Sequence, residues 1–180
     1  MTAANADLAA LIRTIPGYPK PGIQFRDITT LLLDPAGFAA TIERLAAAVC
    51  DTRPDLIAGI EARGFVFGAA LAVRLSCGLV LVRKRNKLPG AVLGINYTLE
   101  YGEDRVEVHA DACPPGARVL VVDDLIATGG TALATVALLR QAGATVAGAA
   151  FVIDLPDLGG ASRLRADSVR VDALVSFAGD

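Results

Sequence analysis

Two periods alternate along this chain. In residues 5–14, Leu8, Leu11 and Ile12 share one face, which predicts a short N-terminal helix. Pro16, Pro19 and Pro21 then predict an irregular arm through Gly22. Asp34-Pro35 supplies a capping acceptor followed by a first-turn proline. Behind it Phe38, Ile42, Leu45 and Val49 recur at steps of 4, 3 and 4, as on one side of a helix. Residues 56–60 form a short β run, 65–75 a helix and 79–82 a second strand that leads straight into Arg83-Lys84-Arg85-Asn86-Lys87. Residues 96–100 and 105–109 break the strand–helix rhythm. They predict a hairpin around residues 101–104, an insertion expected to lie over the carboxyl ends of the other strands. The alternation then resumes with strand 118–122, a helix over about 129–142 closed by Gly143, and strands 145–153 and 169–176. Continuous β runs separated by helices predict an α/β fold whose mostly parallel sheet is covered on both faces. No repeat or linker divides residues 1–180, so a single domain is expected.

The densest polar chemistry follows strand 118–122. Asp123 and Asp124 are adjacent, and Ala127, Thr128, Gly129, Gly130 and Thr131 lead into an apolar periodic segment. This order places two acids at a strand end, and free amides and hydroxyls at a helix N-terminus. That terminus is an anion site, and phosphate is its natural occupant. The acids would be repelled by phosphate. Their open roles are to accept hydrogen bonds from sugar hydroxyls, to hold a metal, or to stabilise a cationic transition state. The implied ligand is a sugar phosphate. No G-x-x-x-x-G-K-[ST] loop and no G-x-G-x-x-G turn is present.

Arg63, after a strand and before Gly64, could clamp an anion bidentately or serve as a surface arginine at a helix start. The 83–87 cluster reads either as a solvated turn or as added neutralisation for a highly charged substrate. Phe25, beside Arg26 in the proline arm, could stack on a flat ring or plug the core edge. Glu100, followed by Tyr101 at the hairpin turn, could hold or transfer a proton.

Composition narrows the class. The chain is 53% hydrophobic with a formal net charge of −2, which gives no long-range field for nucleic acid. No apolar run is long enough to span a membrane, and the first ten residues lack the basic start of a secretory signal. Three cysteines without metal-ligand spacing fit a reducing, cytoplasmic setting.

Several segments carry a resemblance: 19–29 (PKPGIQFRDIT), 59–65 (GIEARGF), 83–90, 99–102 (LEYG), 123–131 (DDLIATGGT) and 151–155. In this order, across nearly the whole chain, they resemble the adenine phosphoribosyltransferases, a branch of the type I phosphoribosyltransferases. The resemblance implies the type I fold, with residues 1–34 as N-terminal helix and base-binding arm and 88–110 as a flexible hood hairpin over the strand ends. It implies transfer of phosphoribosyl from phosphoribosyl pyrophosphate (PRPP) to adenine, giving AMP and pyrophosphate, with Mg²⁺ held mainly through PRPP and no certain protein ligand. It further implies a homodimer that shares part of the basic loop.

Carried over residue by residue, the resemblance puts the 5′-phosphate on Ala127, Thr128, Gly129, Gly130 and Thr131, and the ribose hydroxyls on Asp123 and Asp124. Arg63 and Lys87 would meet the pyrophosphate, with Arg83 and Lys84 of the same basic loop among the substrate-binding residues. Phe25 would stack on adenine, with Arg26 in the segment reading the base edge. Glu100 would act as acid–base group and Tyr101 would help close the hood. A non-proline cis peptide is implied at Glu61-Ala62.

Two departures stand out. Gln24 replaces an aliphatic residue, which matters for base choice only if its side chain points inward. Residues 159–164 (GGASRL) replace the more usual Gly-Arg-x-Lys-Leu, at what reads as a peripheral site. A phosphoribosyltransferase for another purine is the nearest alternative. A PRPP-binding transcription regulator is a further one, but no DNA-binding segment is evident.

Overall fold

The structure is a computed structural model that describes residues 5–98 and 102–179. Seven strands form the central sheet: β3 (Leu56–Ile60), β4 (Gly78–Lys84), β5 (Val92–Thr98), β6 (Glu103–His109), β7 (Arg118–Ile126), β8 (Thr145–Asp154) and β9 (Val171–Ser176). Their spatial order is β5-β6-β4-β3-β7-β8-β9. The β4-β3-β7-β8-β9 pairings are parallel, whereas β6 is antiparallel to both β4 and β5.

Side-chain alternation divides β7 between two cores. Val119 and Val121 pack with Val136 and Leu139 of α5 (Gly130–Gln141) and Leu164 of α6 (Gly160–Ala166). Leu120 and Val122 face the opposite layer, with Leu45 of α3 (Pro35–Ala48), Phe67 and Leu71 of α4 (Gly64–Leu75) and Leu8 of α1 (Ala6–Leu11). A strand covered on both faces needs apolar residues at successive positions, which is why these runs lack polar alternation. The Asp34 carboxylate caps α3 by accepting from the Gly37 N–H at 2.7 Å.

The chain leaves β3 for β4 on one side and enters β7 on the other. The sheet therefore has its topological switch point between β3 and β7. Crevices that bind ligands in open α/β sheets lie outside the strand ends at such a point. Arg63 follows β3, and Asp123 and Asp124 lie near the end of β7.

The structure corrects several boundaries. The arm is not irregular throughout: Arg13–Pro16 (β1) and Gln24–Asp27 (β2) form an antiparallel ribbon in which Ile15 faces Phe25. The strands are four residues long and one ends in proline, too short for a readable period. A short helix α2 (Thr29–Leu33) precedes α3. Strand β7 runs on through both aspartates to Ile126, and β4 includes Arg83 and Lys84. The hairpin is the edge of the main sheet, joined where Arg83 and Lys84 pair with Glu107 and Val106. Its two strands run Val92–Thr98 and Glu103–His109. No helix among the described residues is long and apolar enough to cross a membrane.

Candidate active site

Two adjoining cavities occupy the strand ends. The larger, about 330 Å³, is lined by Phe25, Gln24, Arg63, Leu125, Ala127 and Leu155, among others. The smaller, about 130 Å³, is enclosed by Asp123 and by residues 125–132. Leu125 and Ala127 line both, so an apolar slot opens directly beside a ring of loop amides.

The amide ring arises because β7 ends at Ile126 and α5 begins at Gly130. Gly129, at φ +82°, supplies the left-handed turn between them. The first amides of α5 have no intrahelical acceptor and face outward with the positive end of the dipole. The turn is held from behind. The Gly160 N–H donates to Ala127 O at 2.9 Å, and Arg163 donates to Thr128 O at 3.0 Å. Segment 159–164 is therefore not peripheral: it backs the loop. Gly160 is required there, because a Cβ would lie 2.3 Å from Ala127 O.

Asp124 is buried, at 3% exposure, and Asp123 is partly exposed. Burial, and for Asp123 the neighbouring Asp124 charge, raise both carboxyl pKa values. Arg63 Nε lies 3.0 Å from Asp124 Oδ2, yet that oxygen accepts no hydrogen bond. The contact is charge against charge without an aligned N–H. The Arg63 side chain, 46% exposed, also lies 5.7 Å from the Phe25 ring centroid. It thus stands between the base-sized cavity and the acids.

Phe25 sits on β2, edge-on to Tyr18 at 5.2 Å, with its ring at the larger cavity. Gln24 lines the same cavity. Arg26 lines it too, while its guanidinium donates to Thr14 Oγ1 at 2.6 Å and lies over the Phe177 ring at 4.4 Å, tying the ribbon to the C-terminal segment.

The basic loop is organised by two glutamates, Glu61 of the 59–65 segment and Glu107, which no sequence motif marks. Glu61 precedes the cis Glu61–Ala62 peptide and accepts from Arg83 Nε at 2.9 Å and from the Lys84 N–H at 2.8 Å. Burial works to raise the Glu61 pKa, but these two donors and Lys87 outweigh it and leave it lowered. Glu107, buried in the hairpin, accepts from the Asn86 N–H at 2.9 Å. Lys84 donates to Tyr97 Oη at 2.6 Å and to Asp104. Its ammonium, like the Arg83 guanidinium, already has protein partners. Glu100 and Tyr101 lie outside the described residues.

Among the described residues, no group of three His, Cys, Asp or Glu side chains is placed to hold a metal. Asp123 supplies hard oxygen donors in the wall of the smaller cavity, and the buried Asp124 carboxylate lies against Arg63. Mg²⁺ is commonly held by one or two carboxylates plus substrate phosphates, and the donor set fits that arrangement.

Comparison with known proteins agrees with this geometry. The phosphoribosyl transferase domain family matches residues 29–177. The chain is 60% identical to the adenine phosphoribosyltransferase of Sphingopyxis alaskensis, over 98% of this chain and 96% of that one. The crystal structure of the adenine phosphoribosyltransferase of Thermoanaerobacter pseudethanolicus superposes with a TM-score of 0.91 at 46% identity, covering 96% and 99% of the two chains. That of the Saccharomyces cerevisiae enzyme, complexed with an imino-altritol bisphosphate and adenine, gives 0.89 at 36% identity, covering 97% and 100%. A slot for a flat ring beside a phosphate-sized ring of amides, on this sheet and with these relatives, places the chain in the phosphoribosyltransferase family, in its adenine phosphoribosyltransferase branch.

Proposed function

We propose that this chain transfers the 5-phosphoribosyl group of PRPP to adenine, yielding AMP and pyrophosphate in purine salvage. The observation that carries the reading is the shared wall of the two cavities at Leu125 and Ala127. A phosphate on the α5 amides and a purine against Phe25 would leave their connecting ribose over Asp123 and Asp124.

The residues suit each stage of that reaction. Thr128 and Thr131 hydroxyls, with the amides of 127–131, bind a phosphate that can only accept. Departure of pyrophosphate leaves positive charge at the anomeric carbon, which the two carboxylates stabilise at short range. Arg63 binds the leaving group. Its half-exposed guanidinium is not hydrogen-bonded to Asp124 and can turn to an anion without breaking an aligned bond there. Bound Mg²⁺ would neutralise pyrophosphate charge, with Asp123 and Asp124 the side chains available to face it. Arg83 and the Lys84 backbone are tied to Glu61, two residues before Arg63, and the Lys87 charge acts on the same glutamate, which supports a pyrophosphate role for Arg83 and Lys87. Glu100 takes the proton lost by adenine, and Tyr101 helps cover the site.

A homodimer belongs to the same reading. Val73 is 83% exposed on α4, and Val66, Leu79 and Leu81 are also exposed on α4 and β4. Leu79 Cδ1 lies 3.5 Å from the position a Gly68 Cβ would take, so β4 and α4 meet at this side of the sheet. An apolar face of this kind fits a second copy better than water. Sedimentation should give twice the 18.5 kDa chain mass, and a fully active monomer would remove the shared-loop reading. The three free cysteines accord with a cytoplasmic location.

The activity is tested by supplying Mg²⁺ and PRPP with adenine, hypoxanthine, guanine or xanthine separately and identifying the nucleotides formed. Adenine alone should be consumed efficiently. Comparable turnover of hypoxanthine would reject the base assignment. Phe25→Ala should chiefly weaken adenine use, by about 1–3 kcal/mol if the ring stacks on the base.

A further inference from the structure

We propose that Tyr97 is a positioning residue that turns the Thr131 hydroxyl proton toward the 5′-phosphate. The inference rests on the reading that the α5 N-terminus holds that phosphate, and it concerns how one donor there is set. Tyr97 Oη lies 3.0 Å from Thr131 Oγ1, 3.0 Å from Asp104 Oδ2 and 2.6 Å from Lys84 Nζ. The ring itself packs on the helix start, with Tyr97 Cδ2 at 3.7 Å from where a Gly130 Cβ would stand.

Counting protons decides what this cluster does. Lys84 can only donate and a carboxylate can only accept, whereas Tyr97 and Thr131 carry one hydroxyl proton each. If Tyr97 donates to Asp104, then Thr131 must donate to Tyr97, and its proton is withheld from any ligand. If Tyr97 donates to Thr131, the Thr131 proton is free for an ionised phosphate, which offers acceptors only. Asp104 tolerates losing the Tyr97 proton, because it also accepts from Lys84 and, at 2.7 Å, from the Arg105 N–H. The Lys84 ammonium donating to Tyr97 Oη polarises that hydroxyl and strengthens it as a donor to Thr131.

Phosphate binding therefore selects one of two proton arrangements. The selection ties the phosphate loop to β4 through Lys84, to β5 through Tyr97 and to β6 through Asp104. Three residues far apart in sequence act on a fourth that touches the substrate.

Tyr97→Phe keeps the ring against Gly130 and removes only the hydroxyl. We expect PRPP KM, and its Kd by calorimetry with Mg²⁺ present, to rise about fivefold to tenfold. Adenine KM should stay within twofold. In a Thr131→Ala background, Tyr97→Phe should change PRPP affinity by less than twofold, since its target is gone. Wild-type PRPP affinity in Tyr97→Phe beside a weakened Thr131→Ala would overturn the proposal and leave the phosphate site intact. Equal losses for adenine and PRPP, or full additivity in the double variant, would also overturn it. Wild-type PRPP affinity in Thr131→Ala would instead reject the phosphate reading on which the proposal stands.

Discussion

Gly160→Ala puts the smallest possible side chain behind the phosphate loop. The new Cβ would fall 2.3 Å from Ala127 O and 2.7 Å from Gly129 N. Both are backbone atoms, so no rotamer change relieves the contact. Ordinary contact begins at 3.4 Å, so 3.4 minus 2.3 leaves about 1.1 Å by which the loop or α6 must move. Overpacking of this kind costs about 1–3 kcal/mol. For a domain of this size each kcal/mol lowers Tm by roughly 2–4 °C. The larger effect falls on function, because a displacement near 1 Å in a positioned site can cost ~10²-fold in rate. Initial rates with PRPP varied at saturating adenine should show that loss in kcat/KM for PRPP. Gly159→Ala is the matched control. Gly159, unlike Gly160, sits at positive φ, and its added methyl meets nothing within 4 Å. It should lose roughly 1–2 kcal/mol of stability from the left-handed backbone and keep wild-type PRPP kinetics. Wild-type kinetics in Gly160→Ala, or equal kinetic losses in both variants, would refute the claim that α6 sets the loop.

Asp123→Asn should stabilise the protein while lowering turnover. It retains an Oδ1 acceptor for the Asp124 N–H at 2.9 Å and removes a carboxylate whose pKa is raised by burial and by Asp124. A raised acid costs folding as pH climbs from its unfolded pKa, near 4, through the folded value. The Tm gain should therefore be absent at pH 4 and grow as pH rises toward 8. A gain independent of pH would contradict the cause assigned. Asp27 behaves oppositely: Thr29, then Arg13, hold its pKa at about 2, so its contribution is intact above pH 4 and disappears as pH falls toward 2. Asp27→Asn should flatten acid unfolding in that window, and an unchanged acid limb would reject this pairing. Glu100→Gln should slow the single-turnover step by roughly 10²–10⁴-fold if the carboxyl carries adenine's proton. A wild-type rate in Gln beside a crippled Glu100→Leu would make Glu100 an anchor instead.

The parallel core was readable because 56–60, 118–122 and 145–153 are buried on both faces and so are continuously apolar. Helix α3 was readable because Asp34-Pro35 marks its start and the 4, 3, 4 stripe marks its inner face. The phosphate loop was readable because its amides and hydroxyls are consecutive in sequence. What escaped depends on contacts between distant residues. The end of β7 was hidden because Asp123 and Asp124 break the apolar pattern while their backbone stays in register with β8. Helix α6 is seven residues long and opens with Gly159-Gly160, so its role behind the loop shows only in three dimensions. Lys84 and Asp104 meet at Tyr97 from three separate strands, and Tyr97 reaches Thr131 on α5, so no local spacing marks them. Arg26 shows a second duty that sequence does not mark: it lines the larger cavity beside Phe25, and its guanidinium also ties Thr14 to the C-terminal segment.

The central claim is most directly tested by letting equimolar adenine, hypoxanthine, guanine and xanthine compete for limiting PRPP in one vessel with Mg²⁺, and quantifying nucleotides and pyrophosphate. Product ratios then report ratios of kcat/KM. AMP should form in equal amount to pyrophosphate and exceed every other nucleotide by at least ~10²-fold, a conservative threshold below the ~10⁴–10⁵ that a hydrogen-bonding base site can reach. Comparable IMP, GMP or XMP, or PRPP loss without nucleotide, would contradict the assignment.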